Sequence, residues 1–303
     1  MILIYAPFHC DHRSGGIVVL YYLASLLKKK GLDVKIYNTS PNKNEFFSEF
    51  TTTFDNENTV VIYPEVIYNN PLNAKNVIRW ILAEVGKNTT ADINKTWGKN
   101  DLCYYFLSEK KIKESPEKLT SVYKFLTTIY LKPNTFKNMK KPRSGHCHIF
   151  KKHHYHKTLT PFHPKDSVLV EFSTHDELVE IFNKYEYFIC YDPACFLIWI
   201  AGLCGCIPIL HKMENITKKD YFTGQSEANS NLYLYYLNHK YTDYPGIAYG
   251  EEDVEHAKQT IHLLPDLLNK QIEYTNDYCI NQFIRDVENF DKNKNTIEAN
   301  YIS

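Results

Sequence analysis

The sequence has no excess of charge of either sign. Lysine plus arginine number 35 and aspartate plus glutamate number 35 in 303 residues. A general nucleic-acid binder carries a basic excess, so no nucleic-acid partner is expected and local basic clusters matter more than the total. Long apolar runs are missing as well. The longest, "ACFLIWIAGLCGCIPIL" (194–210), is shorter than the ~20 residues that span a bilayer and is broken by glycines and a proline. It reads as buried α/β core, and no transmembrane segment is expected. The opening "MILIYAPFHCDHRSGG" has neither a basic leader nor a cleavage site, so no signal peptide is expected. Glycine is scarce, at 11 residues, and the dinucleotide fingerprint G-x-G-x-x-G is absent. There is no short-period repeat and no low-complexity segment.

What is present is the composition of a globular chain, 44% hydrophobic and 23% charged, long enough for two domains of ordinary size. Cysteines stand at 10, 103, 147, 190, 195, 204, 206 and 279. Several fall inside apolar strands or helices, where a free thiol behaves as a small hydrophobe. That usage fits a reducing compartment and hence a cytoplasmic location.

The periodicity alternates between strands and helices. "ILIYAP" (2–7) predicts a buried strand. "GIVVLYYLASLLKKKG" (16–31) predicts a helix with lysines in its last turn and Gly31 as its stop. "DVKIY" (33–37) is the next strand. The stretch 38–58 is polar with a weak helix around "NEFFSEF". "TVVIYPE" (59–65) predicts a strand, "NPLNAKNVIRWILAEVG" (70–86) a helix, and "DLCYYFLS" (101–108) a strand. The charged "EKKIKESPEK" (109–118) reads as the interdomain linker. Beyond it, strands are expected at 121–131, 146–150, 167–172, 186–191 and 206–210. Helices are expected at 175–185 and 193–205, then near 226–238, 251–269 and 273–290. This implies α/β architecture with two doubly wound domains, 1–112 and 113–272, and a final helix in 273–303. Ligands bind beyond the carboxyl ends of the strands in such sheets, and two facing domains enclose a cleft.

Several clusters carry possible chemistry. "PRSGHCHIFKKHHYHK" (142–157) holds five histidines, a cysteine and four lysine or arginine residues. A metal reading needs converging ligands, yet in a strand Cys147 faces away from His146 and His148, and no second ligand pair stands out. An anion clamp needs cations near a flexible backbone, which Arg143, Lys151, Lys152 and Gly145 supply. A solvated basic loop is the third reading, with His153, His154 and His156 turned to water. "SGG" (Ser14, Gly15, Gly16) opens the first helix, where backbone can approach a ligand or simply turn tightly. His9, Asp11 and His12 follow the first strand, and Glu65 ends another. Asp192 precedes a helix with Pro193 at its first position, the pattern of an N-cap. Cys204 and Cys206 sit among apolar residues and read as packing.

The layout resembles a nucleotide-sugar glycosyltransferase of the GT-B type, built of two facing Rossmann-like domains. "HDELVEIFNKYEYFICYDPACFLIWIAGLCGCIPIL" (175–210) carries most of the likeness. "PRSGHCHIFKK" (142–152) looks like the arginine-glycine-cysteine-basic donor segment of a branch found in large DNA viruses and some bacteria. "HRSGGIVVLYYLASLL" (12–27) and "YPEVIYNNPLNAKNVIRW" (63–80) are similar to the same branch. One departure stands out. Of the two acids the family spaces in its second domain, the first falls on Asp192 and the second on Ile200, which cannot bond a ribose.

The resemblance implies transfer of a sugar from a nucleotide-diphosphate donor, a UDP-sugar favoured, to an acceptor hydroxyl. No metal or other cofactor is expected, and a viral origin would make the location host cytoplasm. Donor and diphosphate contacts fall to Arg143, Gly145, Lys151, Lys152, Asp192, Ser14, Gly15 and Gly16. In an inverting reaction the general base comes from Asp11, His12 or Glu65. Two alternatives stay open: an epimerase or hydrolase acting on sugar nucleotides, or an inactive carbohydrate-binding relative, which Ile200 suggests.

Overall fold

The computed structural model describes residues 1–11, 14–83, 85–86, 88–106, 124–132, 134–150, 159–170, 174–192, 195–223 and 243–290. The chain divides into two compact units. Unit 1 takes the described residues of 1–130 and 272–290, and unit 2 those of 131–223 and 243–271. Among the described residues every strand pair is parallel.

Unit 1 contains β1 (Ile2–Tyr5), α1 (Gly15–Lys29), β2 (Val34–Tyr37), β3 (Phe50–Thr51), β4 (Val60–Pro64), β5 (Asn76–Ile81), β6 (Leu102–Tyr105) and β7 (Lys124–Phe125). Its sheet order is β3-β2-β1-β4-β5-β6-β7. The chain fills one side of β1 first and then crosses to the other. The topological switch point, where open α/β sheets bind ligands, therefore lies at the carboxyl ends of β1 and β4. The face bearing Ile4, Ile36, Ile62, Ile78 and Trp80 packs against Leu20, Leu23 and Leu27 of α1, and against Cys279, Ile280 and Phe283 of the last helix. That burial of helix stripe on sheet is the main stabilising contribution in unit 1.

The expected helix over 70–86 is a strand. β5 lies between β4 and β6 and is covered on both sides, so it reads as a continuous apolar run rather than an alternating one. A short apolar run of that kind does not distinguish strand from helix by periodicity. Pro71 stands in a turn, and Asn73 adopts the left-handed conformation that ends it. Arg79 is fully buried mid-strand. Its Nε donates to Asp101 at 2.7 Å, Nη1 to the Ile67 carbonyl at 3.2 Å, and the guanidinium lies over the Tyr63 ring. Charge, donors and π-face are thus all engaged, which makes a buried arginine tolerable. The expected weak helix in 38–58 is also absent; β3 is its only regular element.

The expected domain boundary at 112/113 differs from the observed division at 130/131. β7 pairs with β6, and Asn276 of the last helix bonds both backbone groups of Ile129, which ties residues 124–130 to unit 1. The proposed linker 109–118 and the expected helix at 226–238 lie outside the described residues.

Unit 2 contains β8 (His146–Ile149), β9 (Val168–Leu169), α2 (His175–Lys184), β10 (Tyr187–Cys190), α3 (Leu197–Cys204), β11 (Ile207–Leu210), α4 (Lys218–Thr223), β12 (Ala248–Tyr249) and α5 (Val254–Thr260). α6 (Leu264–Glu288) follows, and its residues from 272 onward belong to unit 1. The sheet order is β12-β11-β10-β8-β9. Counted from β9 this is a 2-1-3-4-5 doubly wound sheet, with its switch point between β8 and β10. α2 starts cleanly: Thr174 accepts from the Glu177 amide, and Glu177 returns a bond to the Thr174 amide. Gly205, at a φ of 86°, ends α3 in the left-handed conformation.

Candidate functional site

Chain direction sorts the candidate residues. At the unit 1 switch point, β1 runs into the loop Ala6–Asp11, which leads to α1. Ser14 is the N-cap of α1 and makes no side-chain capping bond; its amide donates to the Asp11 carbonyl at 3.0 Å. No acidic side chain occupies the first turn of α1. A side-chain carbon added at Gly15 would meet nothing within 4 Å, and at Gly16 only Leu82 at 3.9 Å. Ser14 thus leaves the first amides of α1 without its own side-chain cap, and they carry the partial positive charge of a helix N-terminus.

Glu65 immediately follows β4, the other strand of the switch point. It is 4% exposed, and its Oε2 accepts from the Leu82 amide at 3.1 Å. Leu82 thus bonds Glu65 and lies 3.9 Å from where a side-chain carbon on Gly16 would stand, so the Ser-Gly-Gly turn and this acid lie at one end of the sheet. Burial raises the Glu65 pKa above the ordinary carboxylate value, opposed by hydrogen bonds from Leu82, its own backbone amide and Asn88. A carboxyl shifted in that direction is a stronger proton acceptor once ionised. Asp11 is half-buried beside this turn. His12 lies outside the described residues.

At the unit 2 switch point, β8 ends at Ile149 and β10 at Cys190. Asp192 lies two residues past β10 and is 3% exposed. It is not the N-cap of the following helix: α3 begins at Leu197 behind Phe196. Instead the Asp192 carbonyl accepts from the Cys195 amide at 3.3 Å and from the Cys190 thiol at 3.3 Å. These bonds close a turn that holds the acid at the strand end. Ile200 is buried in α3, 5% exposed, and belongs to the core.

Rings crowd the same edge. The Tyr191 hydroxyl accepts from the amides of Phe162 (2.9 Å) and His163 (3.1 Å) and lies 3.0 Å from His163 Nδ1. His163 stacks on His148 at 3.8 Å, and Phe150 stacks on Tyr191 at 4.6 Å. His148 Nδ1 is 2.8 Å from Ser167 Oγ. Burial, then the neighbouring His163, push the His148 pKa down to about 4, so it is neutral near neutrality. Sequence reasoning missed this cluster, because His163 and Tyr191 are 28 residues apart and meet only through the fold.

Arg143 and Gly145 lie at the opposite end. Both precede β8, at the amino edge of the sheet. The Arg143 guanidinium donates to the Cys204 carbonyl (2.5 Å), to Asn183 Oδ1 (3.0 Å) and to Asn138 Oδ1 (2.9 Å). Its Nε reaches the Phe182 carbonyl at 3.5 Å. Cys204 closes α3 and Phe182 lies in the last turn of α2, so this cation satisfies orphan carbonyls where the helix dipole favours positive charge. Gly145 adopts a φ of 73° at the entry to β8, and its carbonyl accepts the amides of Glu186 and Tyr187. Both thus make architectural bonds at the amino edge of the sheet. Lys151 and Lys152, which follow β8 in sequence, lie outside the described residues, as do His153, His154 and His156.

Cys147 is buried on the β8 face opposite His146 and His148. All eight cysteines are free and buried. Burial pushes the Cys204 thiol up to about 11, the state of an inert packed thiol. Among the described residues no group of three His, Cys, Asp or Glu side chains converges on a common metal position. No described helix is long and apolar enough to cross a membrane.

No protein-family model matches the chain, and no curated protein matches it. Among solved structures it matches the crystal structure of WaaG, a glycosyltransferase involved in lipopolysaccharide biosynthesis. The identity is 10% and the TM-score 0.39, over 98% of this chain and 99% of that chain. At this identity no residue assignment is carried across.

Proposed function

We propose that the protein is a glycosyltransferase that moves a sugar from a nucleotide-diphosphate donor, a UDP-sugar favoured, to an acceptor hydroxyl without a metal. One observation carries the reading: each unit has a parallel sheet whose switch point holds acids picked out in the sequence, Asp11 and Glu65 in unit 1 and Asp192 in unit 2. The order α2, β10, Asp192 turn, α3, Gly205, β11 also matches the order that the GT-B resemblance implies.

Unit 2 takes the donor, with Asp192 contacting the sugar and Lys151 and Lys152 holding the diphosphate. Unit 1 takes the acceptor. Its hydroxyl oxygen attacks the anomeric carbon while the bond to the diphosphate oxygen breaks, and the nucleoside diphosphate leaves with the bonding pair. In an inverting reaction Asp11, His12 or Glu65 accepts the hydroxyl proton. The N-terminus of α1 at Ser14, Gly15 and Gly16 favours hydroxyl or anionic groups of the bound substrate.

A second reading, an inactive carbohydrate-binding relative, is favoured by the buried Ile200 at the second acid position. The experiment is a melting screen against nucleotides and nucleotide sugars, since a ligand that binds only the folded state raises the melting temperature. Stabilisation by a nucleoside diphosphate and its sugar conjugate is expected. A melting temperature unmoved by every nucleotide refutes the donor assignment. Stabilisation without turnover selects the second reading.

A further inference from the structure

We infer that Asn42 is a positioning residue that fixes Asp11 at the unit 1 switch point. The inference rests on the proposed transfer reaction for its catalytic consequence, but its geometry stands alone.

The loop Ala6–Asp11 is tied to regular structure at its ends, where the Ala6 amide donates to the Tyr37 carbonyl of β2 at 3.3 Å and the Asp11 carbonyl accepts from Ser14, so the polar groups between rely on side chains or water. Two asparagines from the segment after β2 serve it. Asn38 is 4% exposed, and its Nδ2 reaches the carbonyls of Ala6 (2.9 Å) and Phe8 (3.0 Å). The Tyr21 hydroxyl donates to the same Phe8 carbonyl at 2.8 Å. Asn42 grips the last residue before the acid on both sides. Its Oδ1 accepts from the Cys10 amide at 2.7 Å, and its Nδ2 donates to the Cys10 carbonyl at 3.0 Å. One amide thus mimics a neighbouring strand. Two bonds fix the direction of the peptide as well as its place, and the buried Cys10 side chain adds a third point.

The grip is anchored in turn. Asn44 Nδ2 donates to the Asn42 carbonyl at 3.2 Å, and Asn44 Oδ1 accepts the amides of Phe46 (3.0 Å) and buried Phe47 (2.9 Å). On the far side the Asp11 carbonyl accepts the Ser14 amide at the start of α1. Asp11 is therefore held between a clamped residue and a helix N-terminus. Asparagine suits the task because Cys10 offers one donor and one acceptor. Aspartate would set a carboxylate oxygen against the Cys10 carbonyl.

The test combines Asn42→Ala and Asn42→Asp with Asp11→Asn in a double-mutant cycle. Donor and acceptor affinity, turnover and urea stability are measured for each. Misplacement by about 1 Å can lower turnover on the order of 10²-fold. Turnover is expected to fall by about that factor in both Asn42 variants, with donor affinity within about twofold. Adding either change to Asp11→Asn is expected to cost little more, because both act through one group. Losses that multiply, or a turnover that stays near wild type, overturn the inference. Should the wild type transfer no sugar, the proposed function fails, and amide hydrogen exchange at Cys10 decides the positioning claim. Faster exchange in Asn42→Ala supports it, and unchanged exchange overturns it.

Discussion

Replacing Arg143 by alanine separates two accounts of the same residue. In sequence it stands in a basic segment and suits a diphosphate clamp. In the fold it caps two helix C-termini at the end of the sheet remote from the switch point. Its short bonds to the Cys204 carbonyl and Asn183 Oδ1 are 2.5 and 3.0 Å. Each is charge-assisted and, for a half-buried guanidinium, contributes about 1.5 kcal/mol, the low end for such bonds. The expected loss in unfolding free energy is therefore roughly 3 kcal/mol. Arg143→Lys keeps a cation near the helix ends but loses the fork, so its loss falls between wild type and alanine. The assay is urea denaturation beside calorimetric titration with UDP under conditions where both proteins are folded. The account predicts lower stability and unchanged affinity. Lower affinity with full stability would refute it and return Arg143 to the phosphate site.

Asp192→Asn should weaken donor binding by roughly 1.5–3 kcal/mol, the scale of a charge-assisted bond, while melting changes little; calorimetry with the stabilising nucleotide sugar reads it. For an inverting enzyme, replacing the true base among Asp11, His12 and Glu65 should lower turnover by ~10²–10⁴-fold with donor affinity intact. Comparison of Asp11→Asn, His12→Ala and Glu65→Gln identifies it, and near-wild-type turnover in all three points to retention. His148 has a folded pKa of about 4, below the ~6.5 of an unfolded histidine, so the unfolded chain binds the extra proton first. Its contribution to stability is present above pH ~6.5 and is lost as pH falls towards about 4. Melting of wild type should therefore fall more steeply across that window than melting of His148→Gln, and parallel curves would contradict the buried neutral imidazole.

Much of the fold is legible in local sequence. The helix stripe and terminal lysines of 16–31 announce α1, and the pattern of 175–185 announces α2. The β5 error shows where local reasoning stops. A central strand covered on both faces loses the alternation that marks strands, and the pairing that rescues Arg79 is made by Asp101, far along the chain. The boundary at 130/131 was hidden for a similar reason, since β7 is two residues long and is held by Asn276 of α6. Site residues followed the same rule. The strand-end positions of Asp11, Glu65 and Asp192 were legible because each follows a recognisable strand. The amino-edge position of Arg143 and Gly145 was not legible, because composition marks a basic segment but not which end of β8 it occupies. The ring cluster around Tyr191 needed the fold itself.

The most direct test of the account is release of nucleoside diphosphate from a nucleotide sugar, with and without a panel of glycan acceptors, in the presence of a chelator. The account predicts release that depends on an acceptor, persists in the chelator and fails in Asp192→Asn. No release from any nucleotide sugar, or release that an acceptor does not change, would contradict glycosyl transfer.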